Sequence, residues 1–383
     1  MARRVVDVVV GTRPETIKLA PVVHALGALG IGVRLVLTGQ HREMVDDLLG
    51  PLGLADVETV RLAVMTPRQR LTPLASRLLL ALDDHLGGSP AELLIVQGDT
   101  TSAMAAALAA FHAGVPVAHV EAGLRSGRLD DPFPEEMNRQ MIARLATWHF
   151  CPTVGAAANL AREGVGSNRV MVTGNTSIDT LHWVRGRGLG RSAFGERREG
   201  RTRVLVTLHR RESQGETMRE LATTLVELVG ELDLEVVLPL HPSPAVREAL
   251  VPTLGRCAAV RLVEPLAYVD FVATLAAADV VVTDSGGVQE EAPALNTPVL
   301  VVRETTERPE ALAAGCARLV GTRPEGLRGH LRSLVHHPDA RRAMTERGSP
   351  FGDGRAAGRI AARLVADRPA LVPGRTDALV EVG

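Results

Sequence analysis

Short runs of Val, Leu and Ile alternate along the chain with Ala- and Leu-rich stretches of helical length. A strand buried on both faces needs a continuous apolar run, and parallel strands need a long crossover, so the alternation predicts repeated β-α units around parallel sheets. The runs predict strands over 5–10, 34–38, 93–96, 117–120 and 170–173, then over 204–208, 236–240, 259–263, 280–283, 299–302 and 318–320. Between the two series, 185–203 holds seven arginines and five glycines among nineteen residues, the composition of a solvated linker rather than a nucleic-acid-binding arm. Near the end, Pro350-Phe351-Gly352-Asp353-Gly354 breaks the chain before an amphipathic stretch, 355–366, with Ile360 and Leu364 on one face. The expected class is α/β, with two doubly wound domains facing a central cleft. The first covers 1–180, with a C-terminal helix of about 355–383 packing back on it, and the second covers 181–354.

Composition narrows the function. Apolar residues make up 45% of the 383 and mean hydropathy is +0.10, so the chain can bury ample cores. Lys and Arg total 43 against 44 Asp and Glu, which leaves no global positive field for nucleic acid or an anionic membrane. Aromatics at 2% argue against recognition by stacking on RNA or carbohydrate polymers, and point to a small substrate. Cys151, Cys257 and Cys316 form neither a disulfide framework nor a zinc spacing. No apolar run approaches the ~18 residues of a membrane span, and the opening Val-rich run is too short for a signal-peptide core. A cytoplasmic location is the expectation. Forty-two of the 43 basic residues are arginine, and the one lysine is Lys18. A lone survivor of such a bias hints at a place where a compact ammonium is needed, although chance would leave the same trace.

In open α/β sheets, ligands bind beyond the carboxyl ends of the strands. There the first series presents Gly11-Thr12-Arg13-Pro14-Glu15-Thr16-Ile17-Lys18, Gln97-Gly98-Asp99-Thr100-Thr101 and Glu121-Ala122-Gly123-Leu124-Arg125. The second presents His209-Arg210-Arg211-Glu212, His241-Pro242 and Asp284-Ser285-Gly286-Gly287. In the last, two glycines allow close backbone approach and a helix begins with free N–H groups, the makings of a phosphate site with Glu291 placed to accept hydrogen bonds from a ribose. A plain strand-to-helix turn capped by Ser285 has the same sequence. No Walker loop, dinucleotide fingerprint or zinc motif is present, so neither NAD nor a catalytic metal is expected.

Asp99, Glu121 and Glu135 earn a catalytic reading only jointly: carboxylates gathered at one wall raise one another's pKa and can supply a base and an acid. His209, ending a buried strand beside two arginines, is a candidate ligand or acid/base group, while Arg13 and Arg308 read as phosphate clamps or as salt-bridged surface groups.

Taken together, G-T-R-P-E-T-I-K-L-A-P (11–21), Q-H-R-E-M (40–44), G-D-T-T (98–101), H-V-E-A-G-L-R-S (119–126), P-E-E-M-N-R (134–139), T-G-N-T (173–176), H-R-R-E (209–212), D-S-G-G-V-Q-E-E-A-P (284–293) and T-T-E-R-P-E-A (305–311) resemble the bacterial non-hydrolysing UDP-N-acetylglucosamine 2-epimerases. The resemblance runs from 11 to about 360. It implies two Rossmann-like domains in a GT-B-like arrangement and a cytoplasmic homodimer. It also implies reversible epimerisation of UDP-GlcNAc to UDP-ManNAc by elimination and re-addition of UDP, without cofactor or metal. By position, Asp99, Glu121, Glu135 and His209 match residues implicated in catalysis. Arg13, Lys18, His241, Phe271, Ser285, Gly286, Gly287, Glu291 and Arg308 match positions that bind the substrate. Many members also bind a second UDP-GlcNAc as activator. Gln40, Arg68, Glu136 and Arg210 match that site, and Glu43 stands where some relatives have Gln. Asn296 stands where relatives commonly carry Gly, a harmless exchange because Asn tolerates the left-handed region. The alternatives are a hydrolysing epimerase that releases UDP and N-acetylmannosamine, or a GT-B glycosyltransferase or nucleotide-sugar binder.

Overall fold

Two wholly parallel sheets organise the computed structural model, which describes residues 5–66, 69–210 and 214–373. The first sheet contains β1 (Val5–Val10), β2 (Gly32–Leu37), β3 (Glu58–Arg61), β4 (Leu93–Gln97), β5 (Val117–Val120), β6 (Trp148–Cys151) and β7 (Val170–Val172), in the order β3-β2-β1-β4-β5-β6-β7. The second contains β8 (Thr202–Thr207), β9 (Leu234–Pro239), β10 (Val260–Val263), β11 (Val280–Thr283), β12 (Val299–Val301) and β13 (Ala317–Leu319), in the order β10-β9-β8-β11-β12-β13. In both, the strand order reverses at the centre, between β1 and β4 and between β8 and β11, which is where a doubly wound sheet offers room for a ligand. The described residues fall into two compact units, one running to Thr180 and resuming at Gly352, the other Leu181–Phe351. No helix among the described residues is long and apolar enough to cross a membrane.

The strand predictions hold to within two residues, and two strands escaped them. β3 is an edge strand reading Glu-Thr-Val-Arg with no buried residue, so it carries no apolar run. β6 is fully buried but reads Trp-His-Phe-Cys, where the aliphatic signal is missing. The stretch 185–203 is only partly a solvated linker. Arg185 lies in the last turn of the helix Thr176–Gly186, and Arg203 lies buried in β8, pairing with Glu235 at 3.1 Å and sitting 5.3 Å from the ring centroid of buried Phe194. Composition alone could not reveal that one guanidinium had a carboxylate and a ring to shield it.

In the first unit, β1 buries Val6, Val8, Val9 and Val10, each worth roughly 1.5–3 kcal/mol of transfer free energy. Asp7 interrupts that run with a charge, which is tolerated because Arg34 clasps it with two hydrogen bonds of 2.8 and 3.0 Å and His85 adds a third contact at 2.8 Å. The helix Thr101–His112 buries six alanines, small enough to let it lie close against the sheet. The C-terminal helix Ala356–Asp367 belongs to this unit, burying Ala357, Ile360, Ala361 and Leu364 and packing against the helix Arg13–Ala28. Asp179 caps it, accepting from the N–H groups of Ala356 (3.2 Å) and Ala357 (2.8 Å), while Trp148 Nε1 donates to Asp367 at 2.6 Å. The helix stops at Asp367, short of the expected span, and residues 374–383 lie outside the described part.

Candidate functional site

Each central switch point carries the residues singled out by the sequence. In the first unit, β1 runs through Gly11 into the helix Arg13–Ala28. A side chain at Gly11 would put a Cβ 2.7 Å from both Ser102 Oγ and Thr38 Oγ1, so glycine is required for the close approach. Glu15 fixes this turn: its buried carboxylate accepts from the Gly11 and Thr12 amides at 2.7 and 2.6 Å and from Thr100 Oγ1 at 2.6 Å. Burial raises the Glu15 pKa, and these hydrogen bonds oppose the rise. The turns after β1 and β4 are thereby tied together. Arg13, at the first helical position, forms no ion pair among the described residues. Lys18, one turn on, donates from Nζ to Glu121 Oε2 at 2.5 Å, and Gln97 Nε2 donates to the same oxygen.

Glu121 follows β5 directly, is only 8% exposed and has φ +63°, the left-handed region that non-glycine residues avoid. Such a conformation costs of order 1–3 kcal/mol and persists only where its surroundings over-determine it. Asp99, two residues beyond β4, accepts from Arg139 Nε at 2.8 Å and lies 2.6 Å from its Nη2. Its pKa is raised, chiefly by burial and further by the negative charge of Glu121, with Arg139 opposing. Asp99 therefore senses the charge of Glu121.

The third carboxylate is placed differently. Glu135 opens the helix Glu135–Leu145 in a half-exposed position, whereas its neighbour Glu136 is drawn into the network. Glu136 is fully buried and accepts from Ser126 N–H at 3.0 Å, Gln140 Nε2 at 3.1 Å and Arg139 Nη1 at 3.1 Å. Burial tends to raise its pKa, but these hydrogen bonds hold it below the usual carboxylate range. Arg139 thus bridges Asp99 and Glu136, and Glu136 has the surroundings of a brace. Gln40 accepts from Ser102 Oγ at 3.0 Å, Glu43 is exposed on the helix Arg42–Leu49, and Arg68 falls outside the described residues.

The second unit offers a different chemistry. Asp284, wholly buried at the end of β11, accepts through Oδ2 from the backbone N–H groups of His209 and Arg210 at 2.8 and 2.9 Å. His209 Nδ1 lies 3.1 Å from Asp284 Oδ1, and the His209 ring stacks on His241 with centroids 5.6 Å apart and planes 19° from parallel. Partial burial and the nearby His209 lower the His241 pKa, with Asp284 opposing. The helix Gly286–Ala294 starts here, and the Ser285 side chain does not cap it, so the capped-turn alternative is set aside. Two guanidiniums stand over this start: a Cβ at Gly286 would lie 3.8 Å from Arg210 Nη2 and 4.0 Å from Arg308 Nη2. Helix N–H groups without a side-chain cap, under two cations, are surroundings that favour an anion. Arg308 is braced by buried Glu290, and Arg210 lies 3.6 Å from Glu307, whose pKa falls to about 2 because Arg303 clasps it, burial opposing. Tyr268 OH donates to Glu291 at 3.4 Å, and Phe271 is half-buried on the helix Tyr268–Ala277. Asn296 takes φ +58°, the region in which Asn substitutes for Gly.

Sequence reasoning missed Gln97, Arg139, Glu15 as a brace, and Asp284 as the partner of His209. Asp284 and Gln97 close their strands and the strand-end rule covers both. Arg139 and Gln140 stand three and four residues after Glu136, a helical pairing legible in P-E-E-M-N-R and the glutamine that follows it. Among the described residues no group of three or more His, Cys, Asp or Glu side chains is placed to hold a metal ion.

Comparison with known proteins places the chain in a family. The family model described as UDP-N-acetylglucosamine 2-epimerase matches residues 25–365. The UDP-N-acetylglucosamine 2-epimerase of Salmonella typhimurium is 42% identical over 373 residues, covering 95% of this chain and 99% of that protein. Its Bacillus subtilis counterpart is 41% identical over 367 residues, covering 95% and 96%. Among solved structures, the UDP-GlcNAc 2-epimerase of Neisseria meningitidis bound to UDP-GlcNAc superposes with a TM-score of 0.85 at 38% identity, covering 95% of this chain and all of that one. A glycotransferase of kitacinnamycin, 16% identical with a TM-score of 0.63 over 97% of this chain and 100% of its own, shares the fold. Matched along nearly its whole length by the family model and by relatives above 40% identity, the chain belongs to the UDP-N-acetylglucosamine 2-epimerase family.

Proposed function

We propose that this protein interconverts UDP-N-acetylglucosamine and UDP-N-acetylmannosamine by eliminating UDP and adding it back across a glycal. The observation that carries the reading is the pair Asp99 and Glu121, two carboxylates after adjacent parallel strands and close enough for the charge of one to raise the other. A protein that only bound an anionic ligand would gain nothing from gathering negative charge and holding one member in a costly backbone conformation.

The hydrogen on carbon 2 has no adjacent carbonyl, so direct deprotonation faces a prohibitive barrier. When the C1–O bond breaks and its electron pair leaves with UDP, positive charge develops at carbon 1 and acidifies the neighbouring C–H. A carboxylate takes that proton and the C–H electrons form the C1–C2 double bond of the glycal. A proton delivered to the opposite face of carbon 2, with attack of a UDP oxygen on carbon 1, completes inversion. Asp99, Glu121 and Glu135 are the proposed acid and base set, with Lys18 and Arg139 tuning the first two. UDP is assigned to the start of the helix Gly286–Ala294 with Arg308, His241, Phe271 and Glu291, and Arg13 to its diphosphate. His209, oriented by Asp284, is positioned to exchange a proton with the departing phosphate. A homodimer, and an activator site for a second UDP-GlcNAc involving Gln40, Glu43 and Arg210, complete the proposal. Sigmoidal dependence of rate on UDP-GlcNAc is the outcome expected of that site.

Incubation with UDP-GlcNAc in deuterated water tests the reaction. Deuterium at carbon 2 of both sugars with no net release of UDP is expected. Stoichiometric free UDP with N-acetylmannosamine would convert the reading to a hydrolase, and unlabelled sugar would remove it.

A further inference from the structure

We propose that His119 is a positioning residue that sets the spacing between Asp99 and Glu121, by holding the Gly98 carbonyl through its Nε2–H. The inference rests on the proton-transfer reading above and names a residue to which that reading gives no part.

His119 lies within β5, two residues before Glu121, and is 1% exposed. Its Nε2 lies 2.8 Å from the carbonyl oxygen of Gly98, the residue before Asp99. A carbonyl only accepts, so Nε2 carries the proton and Nδ1 is bare. The bare nitrogen has no donor among the described residues. Burial lowers the His119 pKa to about 4, so the ring stays neutral near pH 7. The Gly98 amide in turn donates to the carbonyl of Val120 at 3.0 Å. Both polar groups of Gly98 are thus tied to β5, to residues 119 and 120, immediately before Glu121.

The consequence is geometric. Gly98 has φ +70°, a turn that an untethered glycine could leave, and Asp99 hangs from it. Asn138 Nδ2 binds the Asp99 carbonyl at 2.8 Å and Arg139 binds its carboxylate, but both come from another helix and neither registers Asp99 against Glu121. The β4–β5 ladder and the Gln97 side chain, which reaches Glu121, fix the strand as far as Gln97; beyond it, the two bonds from β5 to Gly98 carry that register on to Asp99. A valine or leucine would fill the same buried place in a strand; what they lack is the N–H.

Two substitutions separate donation from bulk. In His119→Gln the amide nitrogen falls close to the place of Nε2 and can still reach the Gly98 carbonyl; in His119→Asn it falls short. Both variants and wild type are assayed for deuterium entry at carbon 2 from solvent, for kcat and KM, and for UDP binding by calorimetry. Since an ångström of misplacement can cost about 100-fold in rate, His119→Asn should lose about 10- to 100-fold in kcat and in isotope entry, with KM and UDP affinity nearly unchanged, and His119→Gln should recover most of the loss. Wild-type kcat in His119→Asn, or a Gln variant as slow as the Asn variant, would overturn the inference. If UDP binding falls in step with kcat, the residue is a general fold support and the inference is likewise overturned. Should His119→Asn not fold, His119→Gln alone decides, because a slow but UDP-binding Gln variant contradicts the role. Absence of isotope entry in wild type would instead sink the proton-transfer reading on which the inference stands.

Discussion

At the scale of single residues, Glu121 stands out because it is strained, buried and close to a second carboxylate at once. Its partners Lys18 and Gln97 hold the oxygen in place, so a neutral isostere should preserve the shape and remove the chemistry. Glu121→Gln is expected to lower kcat by at least about 100-fold with little change in UDP affinity, measured by steady-state kinetics and calorimetry. Asp284→Asn should act differently: it replaces an acceptor of two backbone N–H groups by an amide that can serve them only in part, so both the orientation of His209 and UDP binding should suffer, with kcat/KM down by roughly 10-fold or more. Gly11→Ala is a steric test. With 2.7 Å to Ser102 Oγ and Thr38 Oγ1, the new methyl must push strand and helix apart, and denaturant unfolding should show a loss of about 1–3 kcal/mol. Of the site, the residues after strands were legible because the strand-end rule needs only local sequence. The Glu136–Arg139 pair was legible as a helical spacing, but the contacts of Arg139 with Asp99 and of Gln97 with Glu121 were not, because each depends on which distant turn folds against it.

At the scale of elements, β5 and β6 pair two buried histidines side by side, His119 and His149, with burial lowering their pKa to about 4 and about 3. In the unfolded chain both return to the ordinary value near 6.5, so below that pH the unfolded state binds more protons and is favoured. Their contribution is complete above pH 6.5 and is lost as pH falls toward 4 and 3. Thermal melts between pH 7 and 4.5 should therefore show falling stability, and His149→Gln should flatten that slope. The C-terminal helix gives a second test: Asp179→Ala leaves the N–H groups of Ala356 and Ala357 without their acceptor and should cost about 1–2 kcal/mol in unfolding free energy. Most strands were legible because a parallel strand buried on both faces must be a run of Val, Leu and Ile. β3 and β6 broke that condition in opposite ways, one by lying at an exposed edge and the other by burying Trp, His and Phe in place of aliphatic residues.

At the scale of the whole molecule, strand order reverses at the centre of each sheet, and under the proposed function one unit supplies the acid and base groups and the other the helix start assigned to UDP. UDP at about a hundred times its Kd should raise the unfolding free energy by about 2.7 kcal/mol if the native state alone binds it. Hydrogen-exchange protection on adding UDP should fall on 284–291 and on the turn carrying Arg308. The chain's only lysine has a further consequence. Lys18 is partly accessible, with a side chain 20% exposed, and carries the sole ε-amine of the protein. A reductive-methylation or acylation reagent therefore has one side-chain target, beside the α-amino terminus. If nucleotide sugar fills the proposed site and shields Lys18, the intact mass after brief labelling should show less modification when it is added.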